Sequence, residues 1–320
     1  MDNLSTVSIV VPVYNSQESL PLLVVALHNI LPDISTRFEL ILVNDGSRDG
    51  SWVIIQQLVE QHPWIQGIDL MRNYGQHNAL LCGIRVAQYS TIVTIDDDLQ
   101  HKATEIPKLL DKLGAGYDVV YGTPQYERHG LLRNLASQIT KIALQGAMGA
   151  ETARKVSAFR VFRTEIRDAF EHYQSPYVSI DVLLTWGTTR FSSVTVQFEE
   201  RRFGRSNYTF RKLLTHAINM MTGFSVWPLQ MASMVGFAFT LFGIVVFFYV
   251  TLRYLIQGGS VPGFPFLASI IAIFSGVQLF VLGMMGEYLG RMHFRLMNRP
   301  AYVKRHTIEH KMISQPLSDP

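Results

Sequence analysis

An apolar run, Thr91, Ile92, Val93, Thr94 and Ile95, breaks off into three carboxylates, Asp96, Asp97 and Asp98, followed by Leu99, Gln100 and His101. Alternation along a strand places Asp96 and Asp98 on one side. Two hard oxygen donors at that spacing suit Mg2+ or Mn2+ bridging a diphosphate. A charged turn that merely follows a strand would read the same way in isolation, so the surrounding elements have to decide.

Those elements follow from the pattern of the first hundred residues. Strands expected at 7–13, 38–43, 65–70 and 91–95 alternate with helices near 18–30, 50–61 and 75–87. Continuous apolar strands separated by helices predict an α/β fold with a mostly parallel sheet covered on both faces. Ligands of such sheets sit at the carboxyl ends of the strands. Read in order, those ends carry Pro12, Tyr14 and Asn15, then Asn44, Asp45, Gly46 and Ser47, then Arg72 and Asn73, and finally the Asp96 cluster. Four successive polar strand ends favour a site over a chance turn.

The apolar residues, 48% of a 320-residue chain, are unevenly spread. No Asp, Glu, Lys or Arg occurs from Leu213 to Leu252, nor between Arg253 and Glu287. Residues 229–254 and 266–288 each exceed the ~20 needed to cross a bilayer core as a helix. The stretch between them has turn chemistry, whereas Arg201, Arg202, Arg205, Arg211 and Lys212 precede the pair and Arg291, Arg295, Arg299, Lys304 and Arg305 follow it. That charge asymmetry predicts an inner-membrane hairpin with both termini and the α/β domain on the cytoplasmic side. The expected organisation is a soluble domain over 1–208, an amphipathic interfacial helix over 209–226, two spans within 227–290, and a basic tail over 291–320 able to dock on a neighbouring subunit of a homo-oligomer. Residues 1–6 are polar, without the basic and apolar regions of a secretory signal. Cys82 is the sole cysteine, which excludes an internal disulfide and a cysteine-rich metal site. The net charge of +3 speaks neither for nor against nucleic acid, and the basic residues gather where anionic headgroups would lie.

The set Val11, Pro12, Val13, Tyr14, Asn15 with Glu18, Val43 to Ser47 with Asp49, and the Asp96 cluster resembles the family-2 glycosyltransferases of the GT-A fold. Arg72-Asn73-Tyr74-Gly75, Asp98-Leu99-Gln100-His101, and Arg201, Phe203, Gly204, Ser206 and Tyr208 in an R-x-F-G-x-S-x-Y loop resemble the polyprenyl-phosphate members in particular. The resemblance implies a Rossmann-like sheet followed by a membrane hairpin, and inverting transfer of a sugar from a nucleotide sugar, UDP-linked by family frequency, to undecaprenyl phosphate in the bilayer. It implies that Pro12, Tyr14, Asn15, Glu18, Asp45, Arg72 and Asp97 bind the nucleotide, and that Asp96, Asp98 and Gln100 hold Mg2+ or Mn2+. It further implies that Arg128, Arg133, Ser137, Arg201 and Ser206 hold the acceptor lipid phosphate, with Asp96, Asp98 and Arg201 catalytic. Asp181, expected on a helix beside the site, is a possible sugar contact. A helix-end charge would account for it equally.

The chain departs from the family pattern at Thr123, Pro124 and Gln125, where relatives carry a phosphate-binding arginine that Arg128 could replace. It departs again at Ala158, which precedes Phe159-Arg160 where several relatives have an acid, and at Asn207, where lysine is usual. A processive polysaccharide synthase of the same family would need more spans and a Gln-x-x-Arg-Trp motif, neither of which is found. A silent scaffold or flippase partner retaining the fold is opposed by the intact carboxylates.

Overall fold

Strand β1 (Ser5–Val13) shows how the sheet is built, because its side chains alternate between two buried layers. Val7, Ile9, Val11 and Val13 enter one apolar cluster and Val10 the other. A half-exposed strand would alternate apolar with polar residues, whereas a strand buried on both sides must be apolar at nearly every position. From Val7 to Val13 the one polar residue is Ser8, which is buried and donates its hydroxyl to the Glu39 carboxylate at 2.5 Å. The structure is a computed structural model, and it describes residues 5–124, 155–199, 227–257 and 263–310.

After β1 come α1 (Leu20–His28), a short α2 (Leu31–Ile34), β2 (Ser35–Asn44), α3 (Ser51–Gln61), β3 (Ile65–Leu70), α4 (Gln76–Val86) and β4 (Thr91–Thr94). A 3-10 turn (Ala103–Glu105) leads to α5 (Ile106–Gly114) and β5 (Val119–Pro124). Further on lie β6 (Arg160–Arg163), a second 3-10 segment (Thr164–Phe170), α6 (Ile180–Gly187) and β7 (Phe191–Val196). Two long helices, α7 (Trp227–Gln257) and α8 (Phe264–Leu296), precede a last strand, β8 (Lys304–Glu309).

The eight strands form one sheet in the order β7-β5-β6-β4-β1-β2-β3-β8. Pairing is parallel for β1 with β2 and β4, β2 with β3, and β5 with β7, so the expected mostly parallel sheet is present. Strand β6 is inserted antiparallel between β4 and β5, and β8 adds antiparallel to β3. The sequence pattern predicts neither. Residues 304–309, expected within a basic tail, instead supply an edge strand of the chain's own sheet, because the open edge of β3 offers unpaired backbone groups.

One face of the sheet is covered by α1, α3 and α5 through Leu23, Leu27, Ile55, Leu58, Ile106 and Leu109. The other is covered by α4 and α6 through Leu80, Leu81, Ile84, Leu183 and Leu184. Among the described residues, α7 and α8 are the two helices long and apolar enough to cross a membrane. They meet through an edge-to-face contact between Phe239 and Phe274, with ring centres 5.7 Å apart. Phe237, Phe247, Phe248, Leu255 and Ile256 are exposed, the opposite of what core helices of a soluble domain do with such residues. The interfacial helix expected over 209–226 lies outside the described residues.

Candidate active site

The chain leaves β1 for β2 and β3 on one side, then returns through α4 to β4 on the other side of β1. The crevice of an open parallel sheet lies where the order reverses, here between the ends of β1 and β4. Tyr14, Asn15 and Ser16 emerge from β1 at this point, and Asp96 to Asp98 follow β4. Asp97 joins the two: its carboxylate accepts a hydrogen bond from the Ser16 hydroxyl at 2.5 Å and one from the Tyr14 backbone N–H at 3.2 Å. Burial pushes the Asp97 carboxyl up to about 6, against the pull of those bonds.

The turn after β1 is also tied to the turn after β2. Asn15 has φ of +56°, a left-handed conformation that asparagine tolerates better than most residues. Its N–H donates to Ser47 Oγ at 3.0 Å, and its side-chain oxygen accepts from the Arg48 N–H at 2.8 Å. Asn15 and Glu18 are exposed, and Tyr14 is at the exposed margin. Pro12 is buried within β1, in register with Val43.

Asp45 is 3% exposed, and its two oxygens accept the backbone N–H groups of Tyr74, at 2.6 Å, and Gly75, at 2.8 Å. Burial pushes its carboxyl up to about 6, while those two bonds and the Arg72 charge pull the other way. Gly46, at φ of +66°, lies so close that a Cβ would fall 2.6 Å from Arg72 C and Asn73 N. Glycine is therefore required for the 72–75 loop to lie across the β2 turn. Arg72 in turn places its guanidinium 4.3 Å from the centre of the Tyr74 ring. The two segments predicted to meet the nucleotide, 44–47 and 72–75, are thus one interlocked unit.

Asp96 accepts a hydrogen bond from Gln76 Nε2 at 2.6 Å, and Gln76 is the first residue of α4. The Asp98 carboxylate accepts the Gln100 N–H at 3.1 Å, and the intervening Leu99 has φ of +60°. Among the described residues no group of three or more His, Cys, Asp or Glu side chains makes a ready metal cage. Mg2+-type sites use one or two carboxylates completed by substrate phosphates and water, so a hard-oxygen pair with Gln100 beside it fits a cation held jointly with a diphosphate. His101 packs between Phe159 and Phe198, with ring centres 5.1 and 5.2 Å away, and burial pushes its pKa down to about 4. It is neutral at pH 7.

Asp181 lies in the first turn of α6, 5% exposed. It pairs with Arg160 and accepts the Tyr121 hydroxyl at 3.2 Å, all three being buried between α6 and strands β5 and β6. Its carboxylate is engaged inside the core. Arg128, Arg133, Ser137, Arg201 and Ser206 lie outside the described residues. Sequence reasoning missed Ser16 and Gln76, which hold Asp97 and Asp96. The available signal for Gln76 was its place directly after Gly75, at the expected start of a helix that points toward the strand ends.

A mostly parallel Rossmann-like sheet with carboxylates at its reversal point is a GT-A-type architecture. Its fold is shared with glucosyl-3-phosphoglycerate synthase of Mycobacterium tuberculosis, crystallised with Mn2+, UDP and phosphoglyceric acid, at a TM-score of 0.50 and 17% identity over 68% of this chain and 76% of that one. Mannosyl-3-phosphoglycerate synthase of Rubrobacter xylanophilus also has a TM-score of 0.50, at 15% identity over 82% and 79% of the two chains. The family model described as Glycosyl transferase family 2 matches residues 8–172. The chain belongs to that family and is a glycosyltransferase. It is 34% identical over 303 residues, 94% of this chain and 92% of the other, to the undecaprenyl-phosphate 4-deoxy-4-formamido-L-arabinose transferase of Shewanella sediminis. The transferase of the same name from Yersinia enterocolitica is 32% identical over 304 residues, 94% and 93% of the two chains.

Proposed function

We propose that this glycosyltransferase is membrane-bound and moves a sugar from a nucleotide sugar to a polyprenyl phosphate, undecaprenyl phosphate in particular, with inversion at the anomeric carbon. The observation that carries the reading is the path of the chain. It runs from the crevice-bearing sheet through two apolar helices of spanning length and back onto the same sheet as β8, which supports a nucleotide-type site held beside a bilayer that would carry a lipid acceptor. The names of the full-length relatives support the same acceptor.

In this reading the nucleotide lies over the turns at 14–16 and 44–47 and the loop at 72–75, with Tyr14, Asn15, Glu18 and Arg72 at its margin. Asp96 and Asp98, with Gln100, would hold a divalent cation, Mg2+ or Mn2+, which when bound neutralises the diphosphate and stabilises the charge that develops on the leaving group. The acceptor phosphate is anionic at neutral pH and needs positioning and desolvation more than a general base. His101, enclosed by Phe159 and Phe198 with its basicity lowered by burial, and Asp181, paired with Arg160 in the core, are both poorly suited to act as that base. Arg128, Arg133, Ser137, Arg201 and Ser206 are proposed to receive that phosphate, on the family pattern alone. The catalytic domain and both termini are placed in the cytoplasm, on the basic flanks of the hairpin. UDP is proposed as the carrier nucleotide.

The test is a panel of UDP, GDP and dTDP sugars offered with undecaprenyl phosphate to the full-length protein in detergent, with and without EDTA. Lipid-linked sugar that forms from one nucleotide series and disappears with EDTA is the expected result. Failure to form product from every donor would overturn the assignment.

A further inference from the structure

Beyond the crevice, the residue that draws its parts together lies far away in sequence, on the strand that follows the membrane helices. Strand β8 pairs with β3 in a register that changes between Asp69, opposite His306, and Leu70, opposite Lys304. Arg305 is therefore the extra residue of a bulge. Bulges at sheet edges re-aim a side chain, and here the guanidinium is turned along the end of β3. Its Nη2 donates to the Met71 carbonyl at 2.9 Å, and its Nη1 lies 3.7 Å from Asp69 Oδ2.

Both contacts lead to the crevice. Asp69 is 4% exposed, and its other oxygen accepts Asn44 Nδ2 at 2.7 Å. The Asn44 side-chain oxygen accepts the Ser47 N–H at 3.3 Å, and Ser47 Oγ accepts the Asn15 N–H at 3.0 Å. A line of contacts thus runs from the half-exposed Arg305, by a 3.7 Å ion pair to Asp69 and then by hydrogen bonds through Asn44, to the turns after β2 and β1. The second contact fixes Met71, the residue directly before the 72–75 loop, whose N–H is held in turn by the Val303 carbonyl at 2.9 Å. A buried carboxylate without a counter-charge is costly, and truncating its partner would let Asp69 and the Asn44 amide reorient.

We infer that Arg305 is a positioning residue for the donor-binding turns 44–47 and 72–75, acting through Asp69, Asn44 and Met71 and reaching them from beyond the membrane hairpin. This rests on the reading of those turns as the nucleotide site. A segment that touches no substrate then sets donor affinity, and the soluble domain cut before the hairpin lacks it.

The test compares full-length wild type, Arg305→Ala, Arg305→Lys and Glu309→Ala in detergent. Glu309 bonds Gln66 on the same strand pair and stands outside the line of contacts, so it controls for loss of an edge contact. Arg305→Ala is expected to raise the donor KM about three- to tenfold, with kcat and acceptor KM within about twofold of wild type. Arg305→Lys should recover part of the loss, and Glu309→Ala should match wild type. A donor KM within about twofold of wild type for Arg305→Ala, or a fall in kcat with both KM values moving together, would overturn the inference. Calorimetric binding of UDP and GDP to the same proteins separates the two readings. A wild type that binds nucleotide but transfers nothing overturns the transfer reading alone, while Arg305→Ala is still judged by its nucleotide affinity. A wild type that binds and transfers, with Arg305→Ala binding equally well, overturns this inference alone. A wild type that binds neither nucleotide overturns both.

Discussion

The Ser16 hydroxyl and the Asp97 carboxylate meet at 2.5 Å, across the point where the order of the parallel strands reverses. The middle member of the acidic run is thereby engaged in holding two turns together, and since β4 ends at Thr94 all three carboxylates lie in the turn beyond the strand, where the alternation expected from the sequence does not extend. Ser16→Ala leaves Asp97 with the Tyr14 N–H as its partner across the crevice. A lost hydrogen bond to a charged group costs about 1.5–3 kcal/mol, so the thermal midpoint should fall measurably and the donor KM should rise. A variant with an unchanged midpoint and unchanged KM would show that the bond contributes nothing to the site.

Asp96 and Asp98 carry the metal assignment. Asp96→Asn and Asp98→Asn should each lower kcat by about 10²- to 10³-fold, the scale of removing one electrostatic stabiliser of a developing charge. Full transfer by Asp98→Ala would rule out its metal role.

Gln76 donates to Asp96 and aims it, so it should act on the cation without binding it. Orienting partners of metal ligands typically contribute about 10- to 100-fold in metal affinity. Gln76→Ala should therefore shift the Mn2+ or Mg2+ concentration for half-maximal activity upward by about tenfold, with activity at saturating metal largely retained. Loss of activity that added metal does not restore would contradict that role.

Asp45 gives the chain a pH dependence of definite sign. Its carboxyl is raised from 3.8 to about 6 in the folded state, so between those values the native protein binds more protons than the unfolded one. The resulting stabilisation is fully present below about pH 4 and is lost as pH rises through about 6, to an extent of about 3 kcal/mol at most. Asp45→Asn cannot titrate. The difference in unfolding free energy between wild type and Asp45→Asn, from denaturant melts in detergent, should fall between pH 4 and pH 7. A difference that rises over that range would mean that the two backbone bonds outweigh burial.

Much of the parallel half of the sheet could be read from the sequence, because strands buried on both faces must be apolar almost throughout and Pro, Gly and Asn mark their ends. The Asp96 cluster was legible for the same reason, as the polar end of such a strand. The insertion of β6 was not, since four residues between Arg160 and Arg163 show no period that separates antiparallel from parallel pairing. Nor was β8. Its sequence, Lys304 to Glu309, is polar because it lies at an exposed edge, and only the unpaired side of β3 makes it a strand. The interlock of Asp45 with Tyr74 and Gly75 joins residues about thirty positions apart through backbone N–H groups, which leave no trace in side-chain chemistry.

Asp181 separates a sugar contact from a core charge most sharply. Its partner Arg160 and the Tyr121 hydroxyl are buried with it, so Asp181→Ala strands an arginine in the core and should cost about 3–5 kcal/mol of stability. Removing the whole group as Tyr121→Phe, Arg160→Met and Asp181→Leu leaves no unpaired polar atom behind, and replacing a buried ion pair by apolar side chains is often neutral or stabilising. The triple variant should therefore regain a thermal midpoint close to wild type. If the carboxylate serves the core alone, donor kcat/KM in that variant will also return to within a few-fold of wild type. A stable triple variant with kcat/KM still reduced by about 100-fold or more would place Asp181 in contact with the sugar after all.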